Sequence, residues 1–425
     1  MKKLRIILIG AGSRGQRYTD EMDSERFDVV AVAEPVTKFR NYIKEKHNIP
    51  DEMCFDTWEP LLEMPKIADV AIIATMDKLH YAPTMKAIEK GYNLLLEKPV
   101  SPDIRECVEI ANAAKEKGVK ILVCHVLRYN AFFMKIKEMI NSNMLGKIMS
   151  IHHTECVGNL HQSHSFVRGN WGNSDRSSSM ILQKCCHDMD IMQWLVNQPC
   201  KNVHSFGSLT YFTESNAPKG APEYCDESCP EFESCYYNAV KLYLKDEENL
   251  WFREAAAKKK VPSNQDVIEA LKTTQYGKCV YKCDNNVVDH QVVNLEFEDG
   301  AVASFNMCAF NKGGRFIRVM GTNGEIYGDA DTNIIEYYSF KTKEKTQICA
   351  TDKKLSDSIV DGHGGGDIGI VNTLYEYIVN DYEGDQLSEI GISIKNHLIA
   401  FAAEKSRLEG RIVNLREFEE TLGLK

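Results

Sequence analysis

The sequence predicts an α/β protein in two parts. The first is a parallel, doubly wound N-terminal domain. The second is an α+β domain built on a large, mainly antiparallel, open sheet. Three observations predict this. Short apolar runs alternate with helical patterns over residues 4–124; later runs take a period of two; and a glycine-rich turn joins the first run to the first helix.

The N-terminal elements follow in order. Residues 4–9 read as a buried strand, with a helix from about Gly15 to Met22. Asp28 to Ala33 is a second buried strand, and 36–47 a helix. Ala68 to Ala74 is another strand, and the helix from Tyr81 ends at Gly91, where a glycine releases the chain from the helix. Asn93 to Leu96 is a strand ending in Glu97-Lys98-Pro99. Residues 103–117 form a helix closed by Gly118, and Lys120 to Cys124 a further strand. Strands this apolar are covered on both faces, which βαβ units achieve.

The pattern changes after residue 127, so the domains are expected at 1–127 and 128–425. A helix near 131–141 precedes strand-like runs at 291–297, 301–309, 316–320 and 325–327. Helical patterns near 179–196, 367–380 and 392–408 are expected to pack on one face of that sheet. A polar, cysteine-bearing stretch at about 212–290 reads as an insertion.

Bulk properties exclude several classes. The 425 residues carry a formal net charge of −10. That balance favours neither nucleic acid nor an anionic membrane surface. No apolar run is long enough to cross a bilayer. Lys2, Lys3 and the run 6–9 imitate a signal peptide, but the run stops at Gly10. The expected location is the cytoplasm, where the 14 cysteines stay mostly reduced.

Gly10-Ala11-Gly12-Ser13-Arg14-Gly15 is GxGxxG between a strand and a helix. The first glycine permits the turn, the second lets backbone approach a pyrophosphate, and the third lets the helix pack on the strand. The free N–H groups of the helix start suit phosphate. Glu34 ends the second strand, nineteen residues after Gly15. A carboxylate there accepts hydrogen bonds from a ribose diol and repels a 2′-phosphate, so NAD is expected over NADP. Arg14 in the loop is the feature that keeps NADP open. The expected cofactor set is Gly10, Gly12, Ser13, Arg14, Gly15, Glu34, Thr75, His80, Glu97 and Lys98.

With Glu97-Lys98-Pro99 ending a late strand, the chain resembles the glucose–fructose oxidoreductase / inositol dehydrogenase (Gfo/Idh/MocA) family, strongest over 4–130 and 180–195. The resemblance implies a Rossmann domain followed by an α/β domain with an open sheet. It places Lys98 beside the nicotinamide and the substrate hydroxyl, where an ammonium stabilises charge on oxygen. It places His187 as general base, through its spacing to Asp190 and Trp194. Histidine suits that role because it titrates near neutrality. One departure stands out: Gln183 occupies the position of the family's aspartate. A neutral amide cannot raise the pKa of His187, and Lys184 would lower it. Asp188 and Asp190 are candidate substitutes.

Arg128, Arg168, Asn170, Trp171, Gln183, Lys184 and His187 form the expected substrate set. A mixture of hydrogen-bonding groups and an aromatic suits a polyol. His363-Gly364-Gly365-Gly366-Asp367 reads as a close backbone approach, or as a helix start capped by Asp367. In the insert, Cys225, Cys229, Cys235 and Cys279 could hold a structural Zn²⁺; free thiols and an iron–sulfur cluster are the alternatives.

Three functions are consistent with these residues. One is NAD-dependent oxidation of a secondary hydroxyl of a sugar, glycoside or cyclitol. The second is redox-neutral glycoside cleavage by transient oxidation and elimination. The third is non-catalytic NAD sensing. The expected partners are a small carbohydrate and further copies of the chain, as homodimer or homotetramer.

Overall fold

A computed structural model describes residues 2–245, 250–350 and 363–423. Part of the insert, 246–249, lies outside the described residues. The first sheet has six parallel strands: β1 (Leu4–Ile9), β2 (Phe27–Ala33), β3 (Cys54–Phe55), β4 (Val70–Ile73), β5 (Asn93–Leu96) and β6 (Ile121–Val123). Their spatial order is β3-β2-β1-β4-β5-β6. The order reverses at β1, so a crevice opens at the carboxyl ends of β1 and β4. Five of the six β1 residues are buried, because helices cover both faces.

Those helices are α1 (Ser13–Asp20), α2 (Thr37–His47), α3 (Trp58–Glu63), α4 (Tyr81–Glu89) and α5 (Ile104–Lys117). The α5 ends show why boundaries fall where they do. Asp103 accepts a hydrogen bond from Arg105 N at 2.8 Å, and Gly118 closes the helix at φ 68°. α1 begins two residues earlier than the sequence suggested, directly on Gly12.

The second sheet has nine strands: β7 (Ile148–Cys156), β8 (Cys200–Ser208), β9 (His290–Phe297), β10 (Val302–Cys308), β11 (Gly314–Gly321), β12 (Gly324–Asp329), β13 (Ile334–Ser339), β14 (Lys345–Cys349) and β15 (Val413–Asn414). Their order is β14-β13-β12-β11-β7-β10-β9-β8-β15. All pairs are antiparallel except β7 with β10. Alternate residues of β9 are buried, as a one-sided sheet requires.

Between the sheets and around the second lie α6 (Ala131–Asn141), α7 (Asn159–His161), α8 (Met180–Gln183), α9 (Cys186–Val196), α10 (Leu250–Ala257), α11 (Asn264–Thr273), α12 (Gly366–Val379), α13 (Ile390–Glu409) and α14 (Leu415–Thr421). The helix expected over 179–196 is broken at Lys184-Cys185 into α8 and α9. α12 corrects another expectation. Its Ile370, Val371 and Leu374 join the core under β1 and β4, not the antiparallel sheet. α13 serves both halves. Ile390, Ile394 and Leu398 enter the core of the first sheet, while Ile399, Ala402 and Ala403 enter that of the second. The end of the chain thus returns to clamp its beginning.

The insert is less polar inside than its composition suggests. It holds two apolar clusters, one around Phe212, Tyr237 and Tyr281, the other around Leu242, Tyr243, Phe252 and Leu271. The second closes on His164, whose ring stacks on Phe252 at 4.1 Å and meets Tyr243 Oη at 2.7 Å. Cys225, Cys229, Cys235 and Cys279 do line one small cavity. Among the described residues, however, no group of three or more His, Cys, Asp or Glu side chains is placed to hold a metal ion. The expectation of structural zinc is therefore not supported. The insert is ordered by its own aromatic core, and its cysteines are free thiols.

Candidate active site

The site forms where the parallel strands end. Gly10 follows β1, Glu34 follows β2, Thr75 follows β4, Lys98 follows β5 and His125 follows β6. Gly10 has φ 90°, and a Cβ there would stand 2.5 Å from Ala74 O. A Cβ on Gly15 would stand 2.1 Å from Gly10 O, so both positions require glycine. Gly12 differs: nothing lies within 4 Å of its Cβ position. That side of the loop is open, Ser13 is exposed, and α1 has no side-chain cap. Thr75 Oγ1 is buried without a partner. An uncapped helix start over an open glycine fits a dinucleotide phosphate.

Glu34 is buried against the same loop. Its carboxylate accepts hydrogen bonds from Ala11 N at 2.7 Å and Val36 N at 2.8 Å. Arg14 turns inward. Its Nε donates to Glu97 at 2.8 Å, and its Nη2 donates to Asp367 and to Tyr18 Oη, both at 2.6 Å. Burial alone would raise the Glu97 carboxyl, but Arg14 and Lys98 hold it below its ordinary value. Glu97 is thus committed to Arg14 and Tyr18. His80 is braced on both sides, with its ring nitrogens 2.8 Å from Pro99 O and 3.1 Å from Thr75 O. It holds the loop that carries Thr75.

Lys98 reaches the second half of the molecule. Its Nζ donates to Gln183 O at 2.8 Å. This sets Lys98 against Gln183, and its charge acts on the neighbouring His187. Lys184 lies against Glu155, 3.2 Å away. His187 is buried, and its Nδ1 has no hydrogen-bond partner. Gln183 Oε1 is also buried and unpartnered. Burial, then Lys98, His125 and His363, push the His187 imidazole well below its ordinary pKa.

Several sequence candidates lie elsewhere. Arg128 is 2% exposed and forms a bidentate pair with Asp190 at 2.8 and 3.0 Å. Its third bond goes to Leu387 O. Arg168 is 1% exposed and donates to Lys278 O and Tyr237 O, at 2.8 and 2.7 Å. Both arginines tie chain segments together; Arg128 is fully engaged in doing so, while Arg168 Nη1 is buried without a partner. Asp188 and Asp190 are no substitutes for a partner to His187. Asp188 accepts from His153 at 2.8 Å and Arg315 at 2.9 Å, while Asp190 takes Arg128 and Asn396. Asn170 is exposed, and Trp171 packs at the edge of the second core with its Nε1 buried and unpartnered.

Three histidines complete the pocket. His125 is fully buried, with both ring nitrogens unpartnered. Its ring meets those of His187 at 5.8 Å and His397 at 5.4 Å. His363 lies 6.3 Å from His187, ring to ring. Its Nδ1 is 3.1 Å from the carboxylate of Asp367, which lies inside α12 and does not cap it, because the N-cap position is Gly365. The sequence offered one signal for His125, a polar residue directly after a parallel strand. It offered none for His397.

Comparison with known proteins agrees with this architecture. Residues 4–125 match the oxidoreductase family with an NAD-binding Rossmann fold, and 137–366 match that family's C-terminal α/β domain. YteT of Bacillus subtilis (strain 168), an oxidoreductase by name, is 24% identical over 76% of both chains. The 2,7-anhydro-N-acetylneuraminate hydratase of Mediterraneibacter gnavus is 26% identical over 46% of this chain and 50% of its own length. The inositol 2-dehydrogenase/D-chiro-inositol 3-dehydrogenase of Lactiplantibacillus plantarum is 25% identical over 48% and 55%. This chain thus aligns with about half the length of those two relatives. Among solved structures, an Agrobacterium radiobacter oxidoreductase in complex with NAD+, L-tartaric acid and magnesium superposes with a TM-score of 0.70. It is 13% identical and covers 98% of this chain and 100% of its own. At that identity the likeness speaks for the fold. Two matched domains spanning most of the sequence decide the matter: the chain belongs to the Gfo/Idh/MocA oxidoreductase family.

Proposed function

We propose that this chain is an NAD-dependent oxidoreductase acting on a secondary hydroxyl of a sugar, glycoside or cyclitol. One observation carries the reading: Lys98 Nζ, at the end of β5, meets Gln183 O at 2.8 Å, so a cation of the first half stands against the segment of the second that carries His187. The residues fit the cofactor. Gly10, Gly12, Ser13 and Gly15 would hold its phosphates, Glu34 its adenosine ribose, and Thr75 would offer its unpartnered hydroxyl. NAD is favoured over NADP because Glu34 faces this loop and Arg14 is consumed by Glu97 and Asp367. When bound, the nicotinamide supplies a hydride acceptor. Lys98 hydrogen-bonds the reacting oxygen and steadies charge on it. A pocket histidine takes the hydroxyl proton; the family resemblance assigns this to His187. The buried surroundings exclude water, which strengthens both interactions.

A second reading has a specific observation behind it. Gln183 gives His187 no carboxylate, and two relatives are named as hydratases. Redox-neutral chemistry, in which the hydride returns to the substrate after elimination, uses the same pocket. The exposed Phe206, Val302 and Tyr327 on the uncovered face of the second sheet support a homodimer or homotetramer. A cytoplasmic setting suits the free cysteines.

The test is a panel of sugars, cyclitols and aryl glycosides with NAD, following NADH absorbance and aglycone release together. NADH accumulation supports the dehydrogenase. Aglycone without NADH supports the redox-neutral reading. Silence across the panel with NAD bound would overturn both in favour of a sensor.

A further inference from the structure

We propose that His363, oriented by Asp367, takes the substrate hydroxyl proton in this chain in place of His187. The inference rests on the oxidoreductase reading above and names its base.

The two histidines sit side by side, their rings 6.3 Å apart, but their partners differ. His187 has an unpartnered Nδ1, and the charge acting on it most strongly is the cation of Lys98. A proton arriving there would meet positive charge without a carboxylate to offset it. His363 has that carboxylate. Its Nδ1 lies 3.1 and 3.2 Å from the two Asp367 oxygens. Asp367 is itself fixed by Arg14 at 2.6 and 3.2 Å, and Arg17 stands 3.5 Å away. Burial alone would raise the Asp367 carboxyl, but Arg14, then His363, hold it well below the ordinary carboxylate range, so it stays ionised. Nδ1–H donation to Asp367 leaves the Nε2 lone pair of a neutral ring to accept a proton. Burial lowers the His363 imidazole too, as do Arg14 and Lys184, but Asp367 offsets part of that, whereas nothing offsets it at the neighbouring His187.

The backbone points the same way. His363, Gly364 and Gly365 have φ of 51°, 61° and 86°. A histidine in the left-handed region is strained by its Cβ. It is held there by Asn130 Nδ2, which donates to His363 O at 2.9 Å, and by Gly366 N, at 3.1 Å. A Cβ on Gly366 would lie 2.3 Å from Val126 O, so the loop is pressed against the end of the first domain. Strain fixed in this way is characteristic of functional loops. The dyad also joins the base to the cofactor loop through Arg14.

The step balances simply. The O–H bond breaks and its proton moves to His363 Nε2. The C–H electron pair leaves as hydride for the oxidised nicotinamide, which is the electron acceptor, and C=O forms. Asp367 is a positioning residue and changes no bond.

Two measurements test this. The first needs no substrate: long-range ¹H–¹⁵N spectra of histidine-labelled protein, with His363→Asn identifying the signal. The expected state is a neutral Nδ1–H tautomer that shifts toward Nε2–H in Asp367→Asn. An Nε2–H tautomer in the unsubstituted protein, or no response to Asp367→Asn, would overturn the proposal. The second uses the substrate that the panel identifies. His363→Asn and His363→Gln should lower kcat/KM by about 10²–10⁴ while NADH binding and the melting temperature hold. His187→Asn should lose less than His363→Asn. The reverse order would return the role to His187. If nothing in the panel turns over, the oxidoreductase reading fails on its own, and the tautomer still decides the dyad.

Discussion

Around helix α9, two groups of buried polar side chains differ in one respect: how far they are satisfied. On the paired side, Asp188 Oδ1 takes His153 and Arg315 and Asp190 takes Arg128 and Asn396, although Asp188 Oδ2 has no partner. On the other, His187 Nδ1 is bare, and the neighbouring His125 has neither ring nitrogen paired. Burying a polar group without a partner is costly, so such groups are rare in structural cores. The paired side holds the molecule together. The unsatisfied side awaits a ligand. The same helix therefore divides the labour of stability and function between adjacent residues.

Arg128→Ala is the strongest way to break this comparison. It strips the buried Asp190 carboxyl, which burial already raises, of its bidentate partner and leaves Asn396 as its hydrogen-bond donor. A loss of about 3–5 kcal/mol in denaturant unfolding is expected. Little loss would mean that the paired side is not what holds α9. On the other side, Lys98→Ala should spare the melting temperature and cut kcat by about 10²–10³, as removal of an oxyanion-stabilising donor does. Turnover that survives would remove Lys98 from the mechanism. Glu34→Ala tests the cofactor half. Losing a charge-assisted hydrogen bond of about 1.5–3 kcal/mol should weaken NADH binding roughly tenfold to a hundredfold in a fluorescence titration. The same variant should relax discrimination against NADPH.

Legibility in the sequence followed range. The glycine loop, Glu34 and Lys98 were readable because each is a local pattern at a strand end, and local sterics dictate it. The parallel sheet was readable because its strands are apolar on both faces. Arg128 was misplaced for the opposite reason. A charged residue after the last parallel strand looks like a ligand contact until Asp190, 62 residues on, claims it. His363 was readable only as part of a glycine-rich loop, since its neighbours His187 and Arg14 come from distant segments. β7 and β8 escaped notice because their burial alternates irregularly. The insert looked like a metal-ordered loop because its aromatics are scattered in sequence and converge only in space.

His125 gives the smallest and sharpest test of the unsatisfied side. Burial, then the cations of Arg128 and Lys98, lower its imidazole to about 3. In the unfolded chain a histidine titrates near 6.5. Between those values the unfolded chain holds a proton that the folded protein refuses. Stability is therefore full above about pH 6.5 and falls as the pH drops toward 3, by at most about 1.4 kcal/mol per pH unit from this residue. His397 shifts the same way, to about 3, but its Nε2 accepts from Val100 N and its Nδ1 meets Ser393 O. His125 has no such bonds, so His125→Phe removes a titrating ring without stranding a partner. The difference in unfolding free energy between pH 7 and pH 5 should shrink by about 2 kcal/mol in that variant. An unchanged difference would mean that His125 is not held neutral, and that its ring nitrogens are paired after all.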